Sequence, residues 1–452
     1  MLKNVIRKLV PAICLIPLFV GTAGYLAWGE RITDALYASF ALYFTNPISD
    51  AYNGYIEFTR WTAPMVTATA ILCALKNVWD HIRWRLNLLC REDSVAVYSD
   101  ENLSITFDKG TQAIYPGDSF QGYARNHIIL YSSDQKSLQF YEEHREQMKK
   151  KTVYIGLKEL ELGLLKEMSH VTLFDISGSI ARLLWKQIAL WKSKKENLSV
   201  VIYGNSPLAQ NILSVGLQLN LFSLEQHITY SMVSDNGYFQ IKHHDLELMN
   251  SDEIRYYRPD QQQLWDVISD ADVVIIADRM PLDFLQTVVV KAGDHSVYYY
   301  SPEEGDASEH ISFRNMVLFG RNTEVFTDKN IRRQNLIQKA IELNEHYAEK
   351  YNSEKEWNNL SGFFKASNIS SADYGEVIAV LSQTVSDDVL AQMEHIRWCR
   401  FYYLNYWKYG VPENGKNKDT QQRIHKDLVA YDQLTEEEKA KDLEAIKISR
   451  NR

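Results

Sequence analysis

Cysteine is scarce in this chain, four in 452 residues, and no two of them stand at a metal-binding or disulfide spacing. That excludes a zinc module and fits a reducing compartment. A basic excess is missing too. The formal net charge is −9, whereas a nucleic-acid surface needs cations to neutralise phosphates, so no nucleic-acid partner is expected. Catalytic signatures are absent: there is no H-E-x-x-H, no G-x-x-x-x-G-K-[ST] phosphate loop and no G-x-S-x-G, which points to a binding protein rather than an enzyme. His243-His244-Asp245 reads as a polar loop, because neighbours on a strand point to opposite faces and rarely share one metal. No cofactor is expected beyond a small-molecule ligand.

Charge is also absent from residues 9–28, a run preceded by Lys3, Arg7 and Lys8. At ~1.5 Å per residue such a helix covers roughly the 30 Å hydrocarbon thickness. Pro11 and Pro17 are tolerable there, since neighbouring helices re-satisfy the freed backbone groups. A second uncharged run, 61–75, reaches spanning length at 61–79 if Lys76 snorkels and Trp79 sits at the interface. Lys76, His81, Arg83, Arg85 and Arg91 follow, while the connecting segment carries Glu30, Asp34, Asp50 and Glu57 against Arg31 and Arg60. This asymmetry predicts two transmembrane helices with both chain termini cytoplasmic and membrane lipid as a partner. A secretory signal peptide shares the basic start, the apolar core and the small residues 21–24, but its core would be long and a second apolar run follows. Between the runs, 32–47 predicts a short external helix lying on the membrane. A potassium filter needs a carbonyl run resembling TVGYG, and Asn53-Gly54-Tyr55 is the nearest segment. Any pore would therefore be non-selective.

From residue 93 the pattern becomes short β-branched runs alternating with helical stretches, as in a parallel sheet with right-handed crossovers. Residues 94–98, 128–131, 152–155 and 171–174 read as strands, with helices near 139–150 and 180–194. A second unit starts with strand 198–203, then Gly204-Asn205-Ser206 and a helix to about 219, with further strands at 228–233, 271–277 and 296–300. A glycine between the first strand and its helix is where a dinucleotide fold places phosphate. Gly204 stands there, but Ser206 and Ala209 occupy the places of the other two fingerprint glycines. Gly204, Ser206 and Asp235, at the end of the second strand, form a candidate nucleotide loop. A scaffold role without dinucleotide is the simpler reading. The stretch 198–302 resembles the N-terminal domains of bacterial potassium-transport regulators of the TrkA-N or RCK type, and 93–195 does so more weakly. The resemblance implies a dimerising regulatory module attached to a membrane unit.

After Arg332 the chain predicts helices at 334–351, 357–365, 373–381 and 388–408. Glu394, Arg397 and Trp398 share a face of the last at i, i+3 and i+4. Gly410 is placed to end that helix, the polar segment 411–420 could close over a ligand, and 436–447 reads as a solvated helix. His395/Trp398, Trp407/Gly410, His425/Leu428, Tyr431/Leu434 and Glu438/Lys439 match the pattern H-x-x-W, W-x-x-G, H-x-x-L, Y/W-x-x-L, E-K, which resembles the RyR domain, the repeat of ryanodine receptors that also occurs in bacterial proteins. Lys426 departs from it, standing where proline is common. Trp398, Trp407, Tyr409 and His425 with Arg397, Lys408 and Lys426 could stack on a base and meet phosphates. Trp398, Trp407 and His395 equally suit the core of a small helical domain.

The expected architecture is therefore α/β plus α: a membrane domain (1–92), two Rossmann-like units (93–196 and 197–330) and a mostly helical RyR domain (331–452). Such a layout looks like a homo-oligomeric, dimeric or tetrameric, ligand-gated effector of the bacterial inner membrane. The resemblance implies a nucleotide-type second messenger and a place in antiphage defence. The alternative is an ion-transport regulator reading NAD or adenine nucleotides through the Gly204 loop.

Overall fold

In the computed structural model the described residues are 2–91, 93–101, 103, 105–165, 168, 170–193, 195–311, 314–333, 335–351, 353–413 and 415–450, with the side chains of 2–13, 77, 80, 81, 84, 87, 90 and 333 left aside. The chain divides into two compact units, Met1–Glu92 and Asp93–Arg452.

The first unit consists of α1 (Leu2–Trp28), α2 (Ile32–Ala41) and α3 (Gly54–Cys90). Asn53 sets the entry to α3. Its Oδ1 accepts from the Ile56 amide at 2.9 Å, and its Nδ2 donates to Gly24 O at 2.7 Å, so one side chain caps a helix and ties it to α1. Outward faces are apolar: Phe19, Trp28, Phe40, Trp61, Leu72 and Trp79 are each more than half exposed. Even so, among the described residues no helix is long and apolar enough to cross a membrane. The spans expected at 9–28 and 61–79 are thus not seen as crossing helices. Side chains 9–13 of the first lie outside the description. The second is a stretch of the 37-residue α3, where Thr62, Thr67, Thr69 and Lys76 dilute the apolar run.

The second unit contains two parallel sheets. In the first, β1 (Ser94–Tyr98), β2 (Gln112–Ile114), β3 (Asn126–Ile129), β4 (Thr152–Leu157) and β5 (Val171–Asp175) run in the order β2-β1-β3-β4-β5, with α4 (Asp134–Met148) after β3 and α5 (Ile176–Ile188) after β5. Every residue of β1 is buried, which is why its sequence is a continuous run rather than an alternation. The second sheet comprises β6 (Asn197–Tyr203), β7 (His227–Val233), β8 (Glu253–Tyr257), β9 (Val273–Ile276), β10 (Ser296–Tyr300) and β11 (Met316–Phe319), in the order β11-β10-β9-β6-β7-β8. Counted from β6 this is the doubly wound Rossmann order. Its helices are α6 (Pro207–Leu219), α7 (Tyr238–Lys242), α8 (Leu264–Ser269), α9 (Leu282–Lys291) and the single turn α10 (Asn322–Val325). Strands β2, β8 and β11 lie at sheet edges and escape sequence reading; β2 and β8 do so because an edge strand need not be uniformly apolar, whereas β11 is the short apolar run MVLF.

The two sheets share a core across α5 and α6. Trp185 is fully buried and donates from Nε1 to Ile212 O at 2.8 Å. A Cβ on Gly216 would come within 2.6 Å of that indole, so the close approach requires glycine there.

Beyond the second sheet lie α11 (Asn335–Tyr351), α12 (Gly362–Leu381), α13 (Asp387–Leu404), a small sheet of β12 (Lys408–Tyr409), β13 (Lys418–Asp419) and β14 (Ile424–His425), and α14 (Glu436–Arg450). This helical module is anchored to the second sheet by Arg400. Fully buried, that guanidinium reaches Leu217 O and Leu248 O at 2.8 Å and Asp252 Oδ2 at 2.8 Å. Tyr374 adds a bond from its hydroxyl to Leu221 O at 2.7 Å.

Two local expectations need correction. α13 ends at Leu404, not near Gly410. Tyr406 takes φ 63, with its amide on Tyr403 O and the Trp407 amide on Tyr402 O, the paired bonds of a Schellman ending. A tyrosine rather than glycine holds this left-handed position because its hydroxyl bonds Glu161 at 2.8 Å and its ring stacks on His243. Nor is the 436–447 stretch only a solvated face, since α14 packs on α12 and α13 and buries Ala445 and Ile446.

Candidate functional site

Helices α11 to α14 and the small sheet border an open-mouthed cavity of about 430 Å³. Its helical wall carries Trp398 and Tyr402, 4.3 Å apart between ring centroids, together with Phe364 and Tyr347. Its sheet wall carries Lys418, His425 and Asp427. Lys418 and His425 are direct antiparallel partners and so share a face of the small sheet, while Asp427 stands in the turn that follows β14; all three line the cavity.

Most of the charges here are already matched. Arg397, 1% exposed, grips Glu394 through two 2.8 Å bonds and donates to Ser370 Oγ at 2.7 Å. His395 places Nε2 2.8 Å from Val429 O and Nδ1 3.3 Å from Asp442. Both ring nitrogens face acceptors. Burial opposes the imidazolium, but the bonds to Asp442 and Cys399 raise its pKa to about 11. Lys441 pairs with both oxygens of Glu438 at 2.7 and 2.8 Å.

Two groups are left over. Lys418 has no carboxylate within ion-pair reach among the described residues. Its Nζ instead sits 4.3 Å over the Phe364 ring, and burial together with Lys441 lowers its pKa. Asp427 has a buried Oδ2 with no hydrogen-bond partner, and burial with the Glu438 charge raises its pKa. Beside it, burial with Lys418 and Lys441 pushes His425 down to about 3, so this ring is neutral at physiological pH. Its Nδ1 accepts the Asp427 amide proton at 3.1 Å, which leaves the hydrogen on Nε2.

Of the seven ligand-site residues expected from sequence, His395, Arg397, Trp398 and His425 line this cavity. The other three do not. Trp407 is 2% exposed and stacks on Phe363 in the core. Tyr409 is exposed at the sheet edge, and Lys426 lies off the wall with its amide bonded to Asn417 O. Arg397 is also corrected in role, because its charge is already neutralised by Glu394. Sequence reading missed Lys418, Asp427, Lys441 and Asp442. Only the polar segment 411–420, marked as ligand-closing, hinted at any of them.

The Gly204 loop holds an anion already. Asp278, at the end of β9, accepts from the Asn205 and Ser206 amides at 2.5 and 3.1 Å. A carboxylate of the chain therefore occupies the place between β6 and β9 where a dinucleotide fold binds phosphate. Ser206 Oγ caps α6 through the Ala209 amide, and Asp235 donates its amide to Asn205 Oδ1 at 2.8 Å. In the first sheet Asp100 plays the same part between β1 and β3, accepting the Ser132 amide and hydroxyl at 2.7 Å each.

A larger cleft of about 710 Å³ lies between α5, α6, α11 and α12. Its Arg182, Lys186, Lys242 and Lys339 each meet a carboxylate within 4 Å, and Lys329 also lines it. Cys399, His395 and Asp442 form a row like a nucleophilic triad, with Sγ 3.4 Å from Nε2. But Cys399 is fully buried and off the cavity wall, its thiol is raised by burial, and Nε2 is directed to Val429 O. As placed, the sulfur has no access to a substrate. Among the described residues no group of His, Cys, Asp and Glu is arranged to hold a metal ion.

Comparison with known proteins leaves the site to its geometry: no family model, curated protein or solved structure matches this chain.

Proposed function

We propose that the cavity of the helical module is the receptor site of a ligand-gated membrane effector, and that its ligand is a nucleotide-type second messenger. One observation carries this: Lys418 is a half-buried ammonium with no carboxylate within ion-pair reach among the described residues, set in a cavity walled by Trp398, Tyr402 and Phe364. An unpaired buried charge is costly unless something completes it, and an anionic group on a flat aromatic ring suits these walls. The RyR resemblance of the same segment points the same way and extends the reading to antiphage defence at the bacterial inner membrane.

The output element is the first unit. Its exposed Phe, Trp and Leu side chains make a surface that favours an apolar environment, and the lack of a filter-like carbonyl run favours a non-selective leak over selective conduction. A messenger can shift such a device only through its differential affinity for two states. A hundredfold preference supplies ~2.7 kcal/mol per site, multiplied in a dimer or tetramer. The transport-regulator alternative is weakened by Asp278, which an incoming phosphate would have to displace.

The test is equilibrium binding of cyclic and ADP-ribose-type nucleotides to the detergent-solubilised chain, with mass spectrometry of co-purified small molecules. At least one nucleotide should bind, and Lys418→Met should weaken it roughly ten- to a hundredfold. Binding of none, with no co-purified nucleotide, would sink the proposal.

A further inference from the structure

Resting on that reading of the cavity, we infer that His425 and Asp427 read the base edge of the ligand and select guanine. The observation is a pair of uncommitted groups on one cavity wall, His425 at the end of β14 and Asp427 in the turn that follows. His425 Nε2–H is a donor fixed by the Asp427 amide on the opposite nitrogen, and it meets no acceptor among the described residues. Two positions on, the Asp427 carboxylate receives no hydrogen bond among the described residues, and its buried Oδ2 lies 3.7 Å from His425 Nδ1. Together the two side chains offer one donor and two acceptors.

A guanine edge offers the complement: the O6 acceptor, then N1–H, then the N2 amine. Adenine presents one donor and one acceptor, cytosine one donor and two acceptors, and uracil one donor between two acceptors; none offers an acceptor followed by two donors, so each leaves a carboxylate oxygen unsatisfied. Sites with buried polar groups reject an analogue that leaves one of them unpaired. The surroundings fit a base at this point. Trp398, at 82° to the His425 ring with centroids 5.0 Å apart, places an aromatic wall beside the base. Lys418, directly across the strand pair from His425, is placed for the phosphate.

The experiment measures binding of guanosine, inosine and adenosine 5′-monophosphates to the detergent-purified full chain. Inosine lacks only the N2 amine. Guanosine monophosphate should bind roughly tenfold or more tighter than either of the others. Asp427→Asn should flatten that order, whereas Lys418→Met should weaken all three alike. If adenosine monophosphate binds as tightly as guanosine monophosphate in the unaltered chain, the base-edge assignment falls while the cavity reading survives. If none of the three binds, the base-edge assignment falls, and the cavity reading falls with it only if the cyclic and ADP-ribose-type nucleotides also fail to bind. The nucleotide series on the unaltered chain decides the matter even if Asp427→Asn fails to fold.

Discussion

Ser370 Oγ donates to Gln218 Oε1 at 2.6 Å while accepting from Arg397 Nη1 at 2.7 Å. The hydroxyl thus joins the wall of the ligand cavity to α6 of the second sheet. The coupling is measurable. Ser370→Ala and Gln218→Ala should each cost ~0.5–1.5 kcal/mol, and the double variant less than their sum, read from thermal unfolding of the solubilised chain. Additive losses would show that the bond transmits nothing.

Arg397 and Glu394 are a buried, bidentate pair, 1% and 3% exposed. Removing one partner leaves an uncompensated buried charge, so Arg397→Met should cost ~3–5 kcal/mol. Arg397→Met with Glu394→Leu should recover most of that loss. The melting temperatures of the two variants check this, and equal losses would contradict it.

Lys418→Met separates stability from binding. Deleting an ammonium that lies over an aromatic ring and has no carboxylate within ion-pair reach among the described residues should leave the melting temperature unchanged or higher, while nucleotide affinity falls. A clear drop in melting temperature would mean that the lysine is a structural group.

Two histidines predict opposite pH limbs. His395, held at about 11 against an ordinary 6.5, binds its proton more tightly in the folded chain. Its contribution is complete below pH 6.5 and is lost as pH climbs towards 11. His425, at about 3, is held neutral. Its contribution is present above pH 6.5 and is lost as pH falls towards 3. In denaturation midpoints across pH, His395→Gln should shed the alkaline limb and His425→Gln the acid one.

Gly204→Asp tests the filled loop. Gly204 takes φ 155, and a Cβ there would lie 3.0 Å from Asp278 Cγ, so a second carboxylate should destabilise the fold. Asp278→Ala, which strands two amides, should cost ~1–3 kcal/mol yet leave nucleotide affinity intact. A loss of affinity would restore the Gly204 loop as a ligand site.

The parallel sheets were legible because buried strands such as SVAVY and LSVVIY are continuous apolar runs, a pattern that needs no tertiary information. The pairing of Glu394 with Arg397 was legible as well, since i, i+3 spacing brings them together on any helix. The end of α13 was not. Glycine is the usual sign of a left-handed ending, and here Tyr406 takes that role through contacts with Glu161 and His243, both far away in sequence.

What the sequence alone determined is the layout: an apolar helical start, two strand–helix units, and a helical end bearing an aromatic, basic motif. Only the tertiary structure decided which of those side chains have anything left to bind. Trp398 and Trp407 are the same residue type in one motif, yet the first walls a cavity and the second fills a core. Arg397 and Lys418 are both cations, yet one is neutralised three residues away and the other meets no carboxylate in the described structure. Whether a charge is free depends on partners brought from distant segments, such as Asp442 for His395 and Asp278 for the Gly204 loop. Spacing along the chain carries no record of those meetings.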